Sequence, residues 1–245
     1  MKNIHRIIIS VILIFLILSC TNHETQVVFV QPTAYPSALV AEYFPLSKGA
    51  YWVYEGAVKW QTESDVFEQT IQWKMEVLDV IQRNDIIGYK MKGAPWDLTW
   101  YEHGKQPGEY AFIKVGTGRF YIGTLEDFER MMDEEDLLGD LVGEYSLFLE
   151  IPLLPGKRFC DTPSITRTDM GYCWIVNSET KVDLANVKGV RATDPLTEFA
   201  LSQSTLPDFS MFHFVPVIGI TRYEYVHHGT VAEVDVSLIE YHSGK

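Results

Sequence analysis

Apolar and polar side chains alternate along most of the chain from residue 50 onward. In residues 70–77, apolar side chains occupy every second position, and Thr, Gln, Lys and Glu fill the positions between them. A period of two predicts a β-strand with one buried face. Similar stretches, separated by turns rich in Gly, Asn and Asp, predict a meander of about six strands, at residues 51–54, 70–77, 86–92, 98–103, 110–115 and 119–122.

One predicted helix interrupts this pattern over residues 124–138. Residues 124–127 form a start similar to a capping box, acids crowd the first turn, and Leu125, Phe128 and Met132 share a face. The last third of the chain then returns to predicted strands at residues 172–176, 181–184, 198–202, 218–227 and 231–238. The pattern therefore predicts a single, mainly β antiparallel domain with one short helix.

The first nineteen residues have the composition of an export signal. Lys2, His5 and Arg6 precede a twelve-residue, largely apolar run, Ile7–Leu18. Twelve residues are too few to cross about 30 Å of hydrocarbon as a helix. We therefore assign residues 1–19 to a signal peptide that is cleaved from the mature protein.

The end of this signal, Leu18-Ser19-Cys20, resembles the bacterial lipoprotein signal. The resemblance implies lipidation of the Cys20 thiol, cleavage before Cys20 and acylation of the new amine, with palmitate as an expected fatty acid. An ordinary cleaved signal or an uncleaved anchor is the alternative. Residues 20–40 are then the lipidated cysteine and a tether, and residues 41–245 are the β-rich domain.

The net charge of the chain limits the classes of partner that it is expected to bind. The chain carries 20 basic and 33 acidic residues, a formal net charge of −13, and removal of residues 1–19 leaves −15. A nucleic-acid partner is excluded because it would require a basic face. We expect a lipid anchor in a membrane and a domain outside the cytoplasm. An aspartate directly after the lipidated cysteine would suggest retention in the inner membrane. Because Thr21 occupies that position, the outer membrane is favoured if the cell has one.

The two remaining cysteines, Cys160 and Cys173, form an even pair in an exported domain. They predict a disulfide that closes the excursion between them, with free buried thiols as the alternative. A metal site is not expected at these cysteines, because neither a CxxC motif nor a flanking histidine pair is present.

Motifs that carry catalytic chemistry are missing from the mature sequence. It contains no GxSxG, HExxH, P-loop, EF-hand loop or SxxK pattern. We interpret the histidines as exposed surface imidazoles (His213, His227, His228 and His242). The acid-rich run at residues 126–136 is interpreted as a solvated helix face. The sequence therefore predicts a protein that is not an enzyme, with no catalytic residues, metal or cofactor.

Five of the six tryptophans lie between Trp52 and Trp100. One interpretation is an aromatic platform for sugar rings or an apolar ligand. The other is that Trp52, Trp73 and Trp100 fill the core while Trp60 and Trp96 cover its rim, because aromatic side chains dominate β cores. The aromatic residues nearest to predicted loops are the candidate ligand-binding residues: Trp60, Trp96, Trp100 and Tyr101.

Two segments resemble the ends of the β domain in uncharacterised bacterial envelope lipoproteins. Residues 43–54 carry Tyr-Phe-Pro-Leu, then Gly49, then Trp52-Val-Tyr54. Residues 214–220 carry an aromatic-x-Pro-x-x-Gly-Ile stretch before the last hairpin. The resemblance implies a single antiparallel curled sheet or half-open barrel, as in lipid-binding envelope proteins.

From these features we expect a membrane-anchored envelope lipoprotein that binds a small apolar or lipid-like ligand without catalysis. An apolar cleft under a helix that crosses the mouth of the curled sheet would hold the ligand. The alternative is a structural lipoprotein that contacts an envelope protein partner. A minor alternative is an envelope hydrolase, which would require a buried carboxylate with a raised pKa in a cleft.

Overall fold

A computed structural model describes residues 43–142, 146–169 and 171–244. The predicted signal peptide, the candidate lipidation site Cys20 and the tether lie outside these residues. Within the described part, none of the helices combines the length and the hydropathy needed to cross a bilayer.

The described residues form one antiparallel sheet of twelve strands. Its first six strands are β1 (Ala50–Gln61), β2 (Val66–Arg83), β3 (Ile86–Lys92), β4 (Glu109–Val115), β5 (Arg119–Gly123) and β6 (Ser146–Glu150). The other six are β7 (Arg158–Cys160), β8 (Cys173–Val182), β9 (Leu196–Ser204), β10 (Asp208–Val215), β11 (Gly219–His227) and β12 (Ala232–Ser243). The order across the sheet is β6-β5-β4-β3-β2-β1-β12-β11-β10-β9-β8-β7.

The sheet curls until its two edge strands, β6 and β7, lie beside each other. No backbone ladder joins them in the described residues; side chains cross the gap instead, and we call this gap the seam. The Leu147 amide donates to Asp161 Oδ1 at 2.6 Å, and Lys157 Nζ donates to the carbonyls of Glu150 and Pro152, each at 3.0 Å. The expectation of a mainly β, antiparallel curled sheet is confirmed.

Alternation places one side of each strand on the inner face of the curled sheet. In β2, Trp73, Met75 and Val77 are buried, whereas Gln72 and Lys74 are exposed, as the period of two predicts. The largest fully buried side chains are mainly aromatic and fill the inside: Trp52, Tyr54, Tyr225, Phe44, Phe112, Phe120, Phe148, Phe212 and Phe214.

The two segments that carry the family resemblance pack against each other. Trp52 Nε1 donates to the Ile218 carbonyl at 2.6 Å. Gly219 has φ +102°, and a Cβ there would lie 2.8 Å from Phe44. A glycine is therefore required by both its backbone conformation and the ring packed against it. Phe44 anchors the entering chain among core rings, 5.2 Å from Phe214 between centroids.

The helix, α1 (Leu125–Met132), lies on the outer face of the sheet. Its buried residues Phe128 and Met131 pack with Ala111 and Ile113 of β4, whereas Phe112 between them points into the main core. The expected position across the mouth of the sheet is therefore wrong. The helix also ends earlier than residue 138, and Met131 faces the sheet while Met132 is 53% exposed.

Two short 3-10 helices complete the described secondary structure, Pro95–Leu98 and Thr162–Ser164. The prediction of a strand at residues 98–103 is wrong, because the first 3-10 helix ends at Leu98 and turns follow it, with Trp100 at φ +52°. The strands predicted at 172–176 and 181–184 are instead largely one strand, β8. Strands β6, β7 and β10 were not predicted.

Candidate functional site

A groove of about 510 Å³ opens at one end of the sheet. The ends of β1 and β12 form one side, and the loop after Leu98 forms the other. Its aromatic residues are Trp60, Trp100 and Tyr101. Polar side chains surround them: Gln61, Thr62, Glu63, Glu102, His103 and Thr230. We call this feature the rim groove.

Trp60 and Tyr101 form the less exposed part of the rim groove. Their ring centroids are 5.2 Å apart in an edge-to-face arrangement. The Phe67 ring of β2 stacks on Trp60 with centroids 5.4 Å apart. Because Tyr101 is buried and Trp60 is partly buried, these contacts hold both rings in fixed orientations.

Trp100 is the most exposed aromatic residue of the groove, with 47% of its surface accessible. Its positive φ is unusual for a bulky side chain and carries a conformational cost. Lys105 Nζ holds this turn by donating to the carbonyls of Thr99 at 2.7 Å and Trp100 at 3.2 Å. Burial lowers the pKa of Lys105. Trp100 also lines a neighbouring cleft of about 430 Å³ with Gly104 and Lys105.

A polar cluster lies beside the Trp100 ring. The His227 ring is 4.4 Å from the indole between centroids. His227 Nδ1 and Tyr225 Oη lie 2.8 and 2.6 Å from Asp208 Oδ1, and both donate because an ionised carboxylate only accepts. Burial opposes ionisation of Asp208, but these hydrogen bonds hold its pKa below the usual range. Burial and the bond to Asp208 raise the pKa of Tyr225.

The hydrogen bond to Asp208 orients the His227 ring beside Trp100. Among the hydrogen bonds of the described residues, no serine, threonine or cysteine donates to His227. The carboxyl groups of Asp97 and Asp161 have pKa values raised by burial, but each accepts a backbone amide and neither lines the rim groove. The arrangement is therefore suited to holding a ligand by stacking and hydrogen bonding.

The structure brings together three of the four predicted ligand residues. Trp96 lies elsewhere, because its partly buried ring covers the core beside Phe148 and Phe112, with centroids 4.8 and 5.5 Å away. The competing prediction that Trp52 and Trp73 fill the core is confirmed. The same prediction is wrong for Trp100, which is half-exposed at the rim.

The predicted disulfide is confirmed. Cys160 of β7 and Cys173 of β8 are directly opposite each other in the sheet and are joined by an S–S bond. The bond closes the excursion formed by residues 161–172. The disulfide therefore ties the edge strand β7 to its neighbour β8.

The interpretation of all the histidines as exposed imidazoles is wrong for two of them. His213 Nδ1 lies 2.9 Å from Glu198 Oε2, and His227 is paired with Asp208; both imidazoles are largely buried. Within the described residues, no group of three or more histidine, cysteine or acidic side chains could hold a metal ion.

The interpretation of the acid-rich run as a solvated face is confirmed for the five exposed acids, Glu126, Glu129, Asp133, Glu134 and Glu135, but is wrong for Asp127. Asp127 is almost fully buried, and its carboxylate accepts the Thr124 amide at 2.7 Å as the second half of a capping box. Arg130 pairs with Asp136 at 2.8 Å and with Asp140 at 2.7 Å. Asp127 and Asp136 of this run therefore stabilise the helix and its exit.

Sequence reasoning missed Phe67, Asp208 and His227 as members of the site. Phe67 follows a polar hairpin loop and gives no sign that it stacks on Trp60. Asp208 and His227 are opposite each other in the β10–β11 ladder. Only that register relates them, because nineteen residues separate them along the chain.

No protein-family model matches this chain, and no curated protein is similar to it at a significant level. Among solved structures, a protein from Bacteroides fragilis, described as exported with a YmcC-like fold, has a TM-score of 0.40 at 10% identity. A protein from Parabacteroides distasonis, described as a lipoprotein, has a TM-score of 0.37 at 10% identity. Each comparison covers 82% of this chain and 98% of the other.

Proposed function

We propose that this protein is a membrane-anchored lipoprotein of the cell envelope that binds a small saccharide in the rim groove without catalysis. The observation that carries the proposal is Trp100, a half-exposed indole held at positive φ between two clefts. A strained backbone is a reason to look for function at that position. The Leu18-Ser19-Cys20 signal supports the lipid anchor.

The chemistry around the indole favours a saccharide over an acyl chain. A sugar ring presents C–H groups to an aromatic face and hydroxyl groups at its edge. The groove offers indole and phenol rings surrounded by hydroxyl, amide and carboxylate side chains such as Thr62, Gln61 and Glu63. The inner face of the sheet, where an acyl chain would be expected, is occupied by core aromatic side chains. A volume of about 510 Å³ lies in the range of small-molecule sites.

The test is titration of the purified full-length protein, in detergent, with saccharides released from bacterial envelope polymers. We expect calorimetric binding that Trp100→Ala weakens at least tenfold. Tyr172→Ala is the matched control, because Tyr172 is also an exposed aromatic residue at positive φ, lies outside the rim groove, and should leave affinity unchanged.

Two results would overturn the proposal. The first is a Trp100→Ala variant that binds saccharide as tightly as the wild type. The second is a wild-type protein that binds none of the saccharides. If an envelope protein is then captured through the same surface and lost in Trp100→Ala, the alternative of an interaction lipoprotein replaces this proposal. The exposed Val66 and Phe67 beside the groove are the observation that would support it.

A further inference from the structure

A second cleft, of about 460 Å³, opens at the seam between β6 and β7. Both edge strands line it, through Leu147 on one side and Phe159 on the other. Ile165, from the excursion closed by the disulfide, stands at its border with 65% of its surface exposed. The cleft therefore has an apolar part, formed by Leu147, Phe159 and Ile165, beside a polar part formed by Arg119, Glu150, Arg158 and Thr162, and it shares no residue with the rim groove.

Arg158 gives this cleft an unusual polar group. Its Nη2 donates to the carbonyl of Arg167 at 2.9 Å and contacts the Cys173 sulfur at 3.0 Å. Its Nε–H is buried and has no acceptor among the described residues. A buried donor of a charged group that lacks an acceptor is costly, so an acceptor is expected there when the site is in use.

The charges around Arg158 leave its guanidinium without a carboxylate partner in the described part of the chain. Glu150, which also lines the cleft, is paired with Arg119 at 3.5 Å and with Lys157 at 3.3 Å. Asp161 is bound to the Leu147 amide. Of the two arginines that line the cleft, Arg119 is thus paired with a carboxylate and Arg158 is not, within the described residues.

We infer that the seam cleft binds a small amphiphilic monocarboxylate, with its carboxylate on the guanidinium of Arg158 and its apolar chain against Ile165 and Phe159. Arginine recognises carboxylates through parallel N–H donors, and Nε is one of the donors it uses. A single unpaired arginine matches a single negative charge. The apolar part of the cleft offers a contact surface to a short aliphatic chain, which a free inorganic anion lacks.

The experiment uses octanoate as the probe and 1-octanol as its neutral counterpart, titrated into the full-length protein below the micellar concentration of octanoate and the solubility limit of 1-octanol. We expect octanoate to bind and 1-octanol to bind at least tenfold more weakly, because only the carboxylate reaches Arg158. Arg158→Gln should reduce octanoate binding at least tenfold. Arg167→Gln is the control, since it removes the same charge from a neighbouring residue that does not line the cleft.

A second variant covers the case in which Arg158→Gln fails to fold. Ile165→Asn changes an exposed side chain. It should weaken the binding of octanoate and leave the melting temperature of the protein unchanged. Trp100→Ala should leave octanoate binding intact, which separates this site from the rim groove. Absence of octanoate binding, equal binding of octanoate and 1-octanol, or equal losses in Arg158→Gln and Arg167→Gln would each overturn the inference.

Discussion

The carboxylate of Asp161 accepts a hydrogen bond from the backbone amide of Leu147, with Oδ1 2.6 Å from the nitrogen. A side chain thus takes the place of a backbone carbonyl at an unpaired sheet edge. Exposed edges invite pairing with other chains, and this contact occupies one edge donor of β6.

Replacement of Asp161 with alanine should therefore loosen the seam. Loss of the acceptor leaves a partly buried amide unpaired, which costs about 1–3 kcal/mol of unfolding free energy. Amide hydrogen exchange at Leu147 should become faster, as measured by mass spectrometry or NMR. Asp161→Asn keeps an acceptor oxygen and should be milder; if both variants behave like the wild type, this bond does not hold the seam.

The Cys160–Cys173 disulfide should stabilise the folded domain chiefly by restricting the unfolded chain. The chain-entropy estimate for a loop of this size is about 3 kcal/mol. Urea unfolding of the Cys160→Ala/Cys173→Ala double variant should show a loss of that order. The oxidised protein should also be about 2 Da lighter than the reduced one by intact mass, the mass of two hydrogens, and an unchanged unfolding midpoint in the double variant would contradict the prediction.

Gly88 of β3 should resist substitution because α1 approaches it closely. A Cβ there would lie 2.6 Å from Met131 Sδ and 3.2 Å from Ile81 Cγ2. We expect Gly88→Ala to destabilise the protein by about 1–3 kcal/mol through overpacking. Met131→Ala should remove much of that penalty in the double variant, which a double-mutant cycle measures. Gly139→Ala is the control, since no atom lies within 4 Å of its Cβ position.

Asp208 should make the free energy of unfolding depend on pH in the acidic range. Its folded-state pKa is lowered, so its contribution is present above the unfolded pKa, which is about 4 for an aspartate, and is lost as pH falls through the folded value. The urea midpoint of the wild type should therefore fall between pH 5 and pH 3 more steeply than that of Asp208→Asn. Tyr225→Phe removes one donor and should give an intermediate slope. Parallel slopes in all three proteins would contradict this assignment.

The sequence predicted the sheet where one face of a strand is clearly apolar. In β12, Ala232, Val234, Val236 and Leu238 alternate with polar residues, and the strand was found. In β10, Phe209 and Met211 lie on the face opposite the inward rings of Phe212 and Phe214, so both faces look apolar and the strand was missed. β7 has three residues, too few for any period.

The candidate site was only partly predictable for a different reason. The aromatic residues at 98–101 favour a strand, yet Pro95 begins a 3-10 helix and Trp100 takes a left-handed conformation. Trp60 and Tyr101 meet because that loop crosses the end of the sheet, a tertiary arrangement that no local pattern contains. The sequence could indicate which aromatic residues lie near loops, but not which of them share a groove.

The strand order determines where the chain can be cut and rejoined without loss of strand pairing. β1 and β12 pair at the middle of the sheet, with Ala50 opposite Ser243, while the chain passes from one edge to the other between residues 150 and 158. A circular permutant that joins the ends near Ala50 and Ser243 and opens within that connection would keep every backbone ladder. The two six-stranded halves could even be supplied as separate fragments, because only the β1–β12 pairing links them within the sheet.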